Sequence, residues 1–244
     1  VYEEIIGVVT DPGSSLGPAV AERRGVLLLN PEKPLEPQYR RYLEYYDRLL
    51  SLHASPKICP VYEMAVEATS AIEGRVRVVN TRLGSAGLGA AALRAAELIA
   101  GGLGEEAVLA ELDRLASEGR FYLATHDLSK LEENRMLPPL AAPIGRALGL
   151  WALFSLERGR FQTPRPIPSA RVLETLAALL ERRFGQQRLR VRAVVGDLPP
   201  EVRDRFKDVL GGHLHLVSGS IAPMDPLARS RVGEHALAVF AYPV

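Results

Sequence analysis

The sequence predicts an α/β protein in two parts. A parallel α/β sandwich is expected over residues 1–119, and a mixed or antiparallel sheet with helices over residues 120–244. Three observations lead there. Arg75 to Gly102 reads as strand, glycine-rich turn, helix: β-branched Val76, Val78 and Val79, the polar pair Asn80-Thr81, glycines at 84, 87 and 89, then a long Ala/Leu run. Strand and helix patterns alternate through the first 120 residues, as a parallel sheet requires. Beyond Gly119 the strands are joined by longer connections. In open α/β sheets, ligands sit beyond the carboxyl ends of the strands, which makes Asn80–Gly89 the expected floor of a site.

In chain order, Ile5–Thr10 is an apolar run of strand length, and it enters the turn-forming cluster Asp11-Pro12-Gly13-Ser14-Ser15. Asp11 thereby takes a strand-end position analogous to that of Asn80-Thr81. Pro18–Arg24 suits a short helix and Val26–Leu29 a second strand; the prolines of Asn30–Pro37 mark an irregular connection. Gln38–Leu50 reads as helix, with Tyr39, Tyr42, Tyr46 and Leu49 on one face that packs on the sheet or lines a tunnel. Ala54–Pro60 is a loop and Val61–Ile72 a helix. After the central helix, Glu105 and Glu106 open another, where the helix dipole favours negative charge.

In the second part, Phe121–Thr125 is a strand that runs into His126-Asp127, and Leu128–Asn134 a short helical stretch interrupted by Pro138, Pro139 and Pro143. LGLWALFSL followed by ERGR reads as a strand and turn, and Pro164, Pro166 and Pro168 as a stiff linker. Ser169 is expected to cap the helix Ala170–Phe184. Arg188–Val195 alternates as a strand with one wet face, Pro199–Leu210 is a helix, His213–Ser218 a strand, Pro223–Arg231 turn-rich, and His235–Tyr242 the last strand.

Composition narrows the function. Of 244 residues 47% are apolar and 24% charged, as in an ordinary soluble globular protein, and the net charge is +1, without the basic excess of a dedicated nucleic-acid binder. No apolar run reaches the roughly 18 residues needed to cross a bilayer. The chain enters a strand pattern at once, without the look of a signal peptide, and a cytoplasmic protein is expected. The single cysteine, Cys59, excludes an internal disulfide and a cysteine-built zinc site.

The candidate chemistry is sparse. The spacing G-x-x-G-x-G at 84, 87 and 89 fits neither the dinucleotide fingerprint nor the phosphate loop; a tight turn or capture of an anion or carboxylate at a helix N-terminus both remain open. His213 and His215 on one strand face would reach a common metal, with Asp225 as the nearest carboxylate, yet no convincing ligand set forms. Cys59 has no partnered histidine, and there is no G-x-S-x-G elbow. No cofactor is implied. The missing catalytic set favours a binding protein over an enzyme; the enzyme alternative uses His126, Arg135 or His235 as acid-base groups.

Several segments then line up with one family. VVTDPGSSL is similar to an opening T-D-S-S-S-D-L motif, and RVRVVNTRLGSAGLG to V-x-V-V-D-S-x-x-x-S-x-G-L-G, with Asn80-Thr81 in place of Asp-Ser. RFYLATHDLSKLEENRM is similar to a strand followed by L-x-x-G-G-R-I, IGRALGLWALFSLERGRF to G-x-L-L-x-I-K-P-I-L-x-L-x-D-G, and HALAVFAYPV to a closing H-x-G-P-G-x-L-G-V strand. The chain thus resembles the DegV family of fatty-acid-binding proteins. The resemblance implies a DegV-like two-domain fold and a long-chain fatty acid, or a similar small amphipathic acid, as ligand, held by hydroxyl groups and backbone amides. It also implies a partner kinase for some members, which phosphorylates the bound acid. Carried onto this sequence, the ligand-binding residues are Asp11, Ile58, Cys59, Tyr62, Asn80, Thr81, Ser85, Gly87, Gly89, Arg135 and His235. The family's T-S-x-P anchor corresponds to Ile58-Cys59-Pro60, without its threonine; in a competing register, CPVYEMAVEA stands for the family's S-G-T-Y-Q-S-A. The loss of hydroxyls there implies altered carboxylate anchors, or a protein of the same fold that regulates or interacts without binding lipid.

Overall fold

The computed structural model describes residues 4–72, 74–138 and 141–244. Residues up to Ser117, with Arg158–Arg160, form one compact unit; Glu118–Glu157 and Phe161–Val244 form the other. The fold class is the expected one: a parallel α/β sheet first, a mixed sheet with helices second.

The first unit holds β1 (Ile6–Thr10), α1 (Pro18–Arg23), β2 (Val26–Leu28), α2 (Leu35–Tyr42), β3 (Arg48–His53), α3 (Val61–Thr69), β4 (Val76–Asn80), α4 (Ala86–Ala100) and most of α5 (Glu105–Glu118). Its four strands are all parallel, in the order β2-β1-β3-β4. Successive residues of β1 and β3 are buried, so both sheet faces are covered. Val9 and Leu49 join Tyr39, Leu43, Ala65 and Ile72 from α2 and α3 in one core cluster. α4 packs against β1 and β3 and is buried around most of its circumference, which the small side chains Ala90, Ala91, Ala92 and Ala95 permit.

The expected helix Gln38–Leu50 is corrected here. α2 ends at Tyr42, and Arg48–His53 is the strand β3. Tyr39 does face the core, but Leu49, Leu50, Ser51, Leu52 and His53 form a strand buried on both faces, whose unbroken apolar run carries no period-two signal. Tyr39 and Tyr42 line no tunnel: Tyr39 is in the core and Tyr42 donates to the Leu28 carbonyl.

The second unit contains β5 (Arg120–Thr125), α6 (Leu128–Glu133), α7 (Ala141–Ala147), β6 (Leu150–Glu157), β7 (Arg160–Phe161), β8 (Arg165–Pro168), α8 (Val172–Phe184), β9 (Leu189–Val195), α9 (Pro200–His213), β10 (Leu216–Pro223), α10 (Pro226–Val232) and β11 (Ala236–Pro243). The sheet runs β10-β9-β11-β5-β6-β7, with β8 also on β6. β9 and β10 are parallel, whereas β11, β5, β6 and β8 pair antiparallel with their neighbours. α8 and α9 seal one face through Leu173, Leu176, Leu180, Phe206 and Leu210.

Several details differ from expectation. The prolines at 166 and 168 lie in β8, which pairs with the start of β6. Ser169 opens a 3-10 turn and makes no cap; the residue before α8 is Arg171. β9 has no wet face: Arg192 is 5% exposed and Val194 is fully buried. Burial lowers the Arg192 guanidinium to about 10. Pro223–Arg231 contains α10, capped by the Asp225 carboxylate on the Leu227 amide. Ala141–Ala147 is helical despite Pro143, because proline is tolerated in a first turn. Pro139 lies outside the described residues. No helix among the described residues is long and apolar enough to cross a membrane.

Candidate functional site

The carboxyl ends of β1, β3 and β4 meet in the first unit and bring Asp11, His53 and Asn80-Thr81 together. The strand order reverses between β1 and β3, the place where open α/β sheets form a ligand crevice. Two loops build on these strand ends, 81–85 after β4 and 54–60 after β3. They adjoin: a methyl group at Gly84 would come within 3.5 Å of Ile58 Cδ1.

The 81–85 loop is held from within. Thr81 donates its amide and its hydroxyl to the His53 carbonyl, at 3.0 and 2.8 Å, and its oxygen accepts the Leu83 amide at 3.3 Å. Its hydrogen is therefore committed, and Thr81 shapes the turn rather than offering a donor. Asn80 Oδ1 accepts the Arg82 amide at 2.9 Å, closing an Asx turn. Arg82, at φ 60°, turns outward to Asp113, 2.7 Å away.

Ser85, at φ 44° and ψ −118°, precedes α4 in a backbone conformation that favours glycine. Its Oγ is buried and meets no hydrogen-bond partner among the described residues. Gly87, Leu88 and Gly89 donate to the carbonyls of Gly84 and Ser85, so their amides are used in the helix itself. Gly87 and Gly89 are thus corrected from loop residues to the buried first turns of α4. The amides of Gly84, Ser85 and Ala86 meet no acceptor among the described residues. Three amides and one hydroxyl at the positive end of a 15-residue helix make a donor nest that matches an anion.

The sequence reading missed what lies beneath this nest. Asp11, Ser51 and His53 are at most 1% exposed and form one chain with Tyr39. His53 Nδ1 is 2.7 Å from Asp11 Oδ2, and Asp11 Oδ1 accepts the Gly13 amide at 2.7 Å. His53 Nε2 is 2.8 Å from Ser51 Oγ, which is 2.8 Å from the Tyr39 hydroxyl. Burial pushes the Tyr39 phenol up to about 12 and keeps its proton in place. Ser51, His53 and Asp11 follow the hydrogen-bond order of a nucleophile, base and acid. Ser51 is wholly enclosed and already bonded to Tyr39, so no substrate reaches it. The polar Ser-x-His step at the end of an apolar run was the available signal, hidden by reading β3 as helix.

The remaining candidates are dispersed. Ile58 and Cys59 sit in the β3–α3 turn, where the Ile58 and Cys59 amides bond the Ser55 carbonyl, and Tyr62 is half-buried in the first turn of α3. His235 and His126 are in the second unit, in a cleft of about 600 Å³ with Asp127, Ser129, Lys130, Arg146, Arg229 and Glu234. Asp127 binds His235 twice, Oδ2 to the backbone amide at 2.6 Å and Oδ1 to Nδ1 at 3.1 Å. Arg135 does not line this cleft; it is exposed in the turn after α6, at φ 57°. The two serines of the cleft are engaged, Ser129 with Arg146 and Ser230 with the Leu227 carbonyl, which leaves no nucleophile oriented on His235. The expected His213–His215 pair fails as a metal site: His213 ends α9 and bonds Glu181, and His215 lies before β10. Among the described residues no group of three or more His, Cys, Asp or Glu is placed to hold a metal ion.

Comparison with known proteins agrees with this architecture. The model of the DegV family matches residues 32–244. A DegV domain-containing protein of Streptomyces coelicolor is 35% identical over 171 residues, 68% of this chain and 59% of the relative, so the chain spans less than two thirds of that relative's length. Among solved structures, a DegV family protein of Thermus thermophilus described for its fatty acid binding superposes with a TM-score of 0.85 at 24% identity, covering 98% of this chain and all of that one. DegV of Bacillus subtilis, described as a fatty acid binding protein, superposes with a TM-score of 0.80 at 18% identity, covering 99% and 100%. With a family match that begins at residue 32 and runs to the last residue, the chain belongs to the DegV family.

Proposed function

We propose that the protein binds a long-chain fatty acid, or a similar small amphipathic acid, and holds it without chemical change. One observation supports this most: the donor nest of Ser85 Oγ and the Gly84, Ser85 and Ala86 amides at the start of α4. A buried carboxylate needs such donors, because burying it without them costs several kcal/mol or forces protonation. Family membership supplies the ligand class. The apolar neighbours Ile58 and Leu83 give an acyl chain a starting surface beside the nest. In the same reading the carboxylate is presented to a partner kinase for phosphorylation, and the protein contributes binding rather than catalysis.

Native mass spectrometry of protein purified from cells tests this. Retention of a C14–C18 acid mass is the expected result. No retained mass under gentle conditions, together with no uptake of added hexadecanoic acid, overturns the reading.

A further inference from the structure

We propose that His53 is the positioning residue of the head-group floor: its ring is clamped between Asp11 and Ser51 so that its carbonyl holds Thr81 and the donor loop behind it. This rests on the fatty-acid reading above and adds a residue that the resemblance does not assign.

β3 is the interior strand between β1 and β4, with Leu52 opposite Thr10 and His53 opposite Asn80. His53 therefore reaches both neighbouring strand ends at once, Asp11 through its ring and Thr81 through its carbonyl. The direction of the chain follows from the chemistry of its end. Asp11 is acceptor-only, so Nδ1 donates to it; Nε2 then accepts the Ser51 hydroxyl, and Ser51 accepts the Tyr39 hydroxyl. Each donor in this order is satisfied, and all point toward the carboxylate. Gly13 donates to its other oxygen. The ring is thereby fixed in one tautomer and one rotation.

A strand end that needed only packing would be filled as Leu50 and Leu52 fill theirs. Burying four polar side chains gives no advantage in stability over an apolar core of the same volume. It does give a unique geometry. The Thr81 amide and hydroxyl both converge on the one carbonyl, and the loop from Thr81 to Ser85 carries the donors of the nest. A rotation of His53 would carry Thr81 with it and displace Ser85.

The test compares His53→Asn with His53→Gln. The asparagine amide takes the place of Nδ1 and keeps the donor to Asp11; the glutamine amide takes the place of Nε2 and leaves Asp11 without it. Affinity is measured by displacement of a pyrene-labelled hexadecanoic acid with hexadecanoic acid, and thermal unfolding is measured in parallel. His53→Asn is expected to bind within about threefold of wild type and His53→Gln at least about tenfold more weakly, although the two unfold at similar temperatures. Equal affinity of His53→Gln and wild type overturns the proposal, as does a loss in both variants that tracks lost thermal stability. A wild-type protein that takes up no acid overturns the binding reading and this one together. Should the His53 variants not fold, Asp11→Asn substitutes: it presents a donor where His53 requires an acceptor, and unchanged affinity there overturns the proposal.

Discussion

Replacing Ser85 separates stability from binding. Its hydroxyl is shielded and has no partner among the described residues, a situation that costs roughly 1–3 kcal/mol. Its backbone stands at φ 44°, ψ −118°, where a side chain costs on the order of 1–3 kcal/mol. Ser85→Ala removes the first penalty and keeps the second. The ligand-free variant is expected to be more stable by about 1 kcal/mol, a Tm rise of about 2–4 °C for a chain of this size. Ser85→Gly removes both and is expected to gain about 1 kcal/mol more. Each variant forfeits a hydrogen bond to a carboxylate, worth about 1.5–3 kcal/mol, and is expected to bind hexadecanoic acid about ten- to a hundredfold more weakly. Differential scanning calorimetry of lipid-stripped protein and fluorescent fatty-acid displacement read the two effects. A Ser85→Ala protein that loses stability and binds as wild type does would refute the reasoning, because the hydroxyl would then serve the fold alone.

Gly233→Ala is expected to cost more than about 3 kcal/mol, since its φ is 93° and the new methyl would stand 2.1 Å from Asp127 Cβ; chemical denaturation measures it. Tyr39→Phe removes the first donor of the buried chain and is expected to cost about 1 kcal/mol at pH 7. The Tyr39 phenol is raised in the folded state, so its contribution is complete below its unfolded value of about 10 and fades as pH climbs toward 12; unfolding curves of wild type and variant should converge over that window. The Glu111 carboxyl lies below its usual range because of its bonds to Arg114 and Arg94, which tie α5 to α4. Its contribution is present above the unfolded value and lost as pH falls through the folded one. Glu111→Gln is expected to cost about 0.5–1 kcal/mol at pH 7, with the difference closing below about pH 4 in a pH series of urea melts.

Much of the fold was legible because its signals were local. The Ala/Leu run after Gly84 became α4, and the hydrophobic stripe Val108, Leu112, Leu115 became α5. β3 was hidden because a strand buried on both faces has no alternation to distinguish it from a helix, and Tyr39 and Tyr42 gave it a helical lead-in. β8 was hidden by its prolines, which withhold amides yet leave carbonyls to pair. At the site, the sequence pointed to the right stretch, Asn80–Gly89, but not to which atoms are available. That Thr81 spends its hydroxyl on His53 while Ser85 keeps its own depends on strand register and backbone torsions that no spacing encodes. His53 itself required β3 to lie beside β1, a pairing between residues 42 apart in sequence.

The strand order β2-β1-β3-β4 bears on where this chain tolerates cutting. β1 comes first in sequence but is interior in space, flanked by β2 and β3. The family match starts only at residue 32, after both β1 and β2. A fragment trimmed to that boundary would lose Asp11 and bare the edge of β3, leaving Leu50 and Leu52 without a neighbour on that side. Expression or transplantation of this module should therefore begin ahead of Ile6, whatever limits a sequence profile draws.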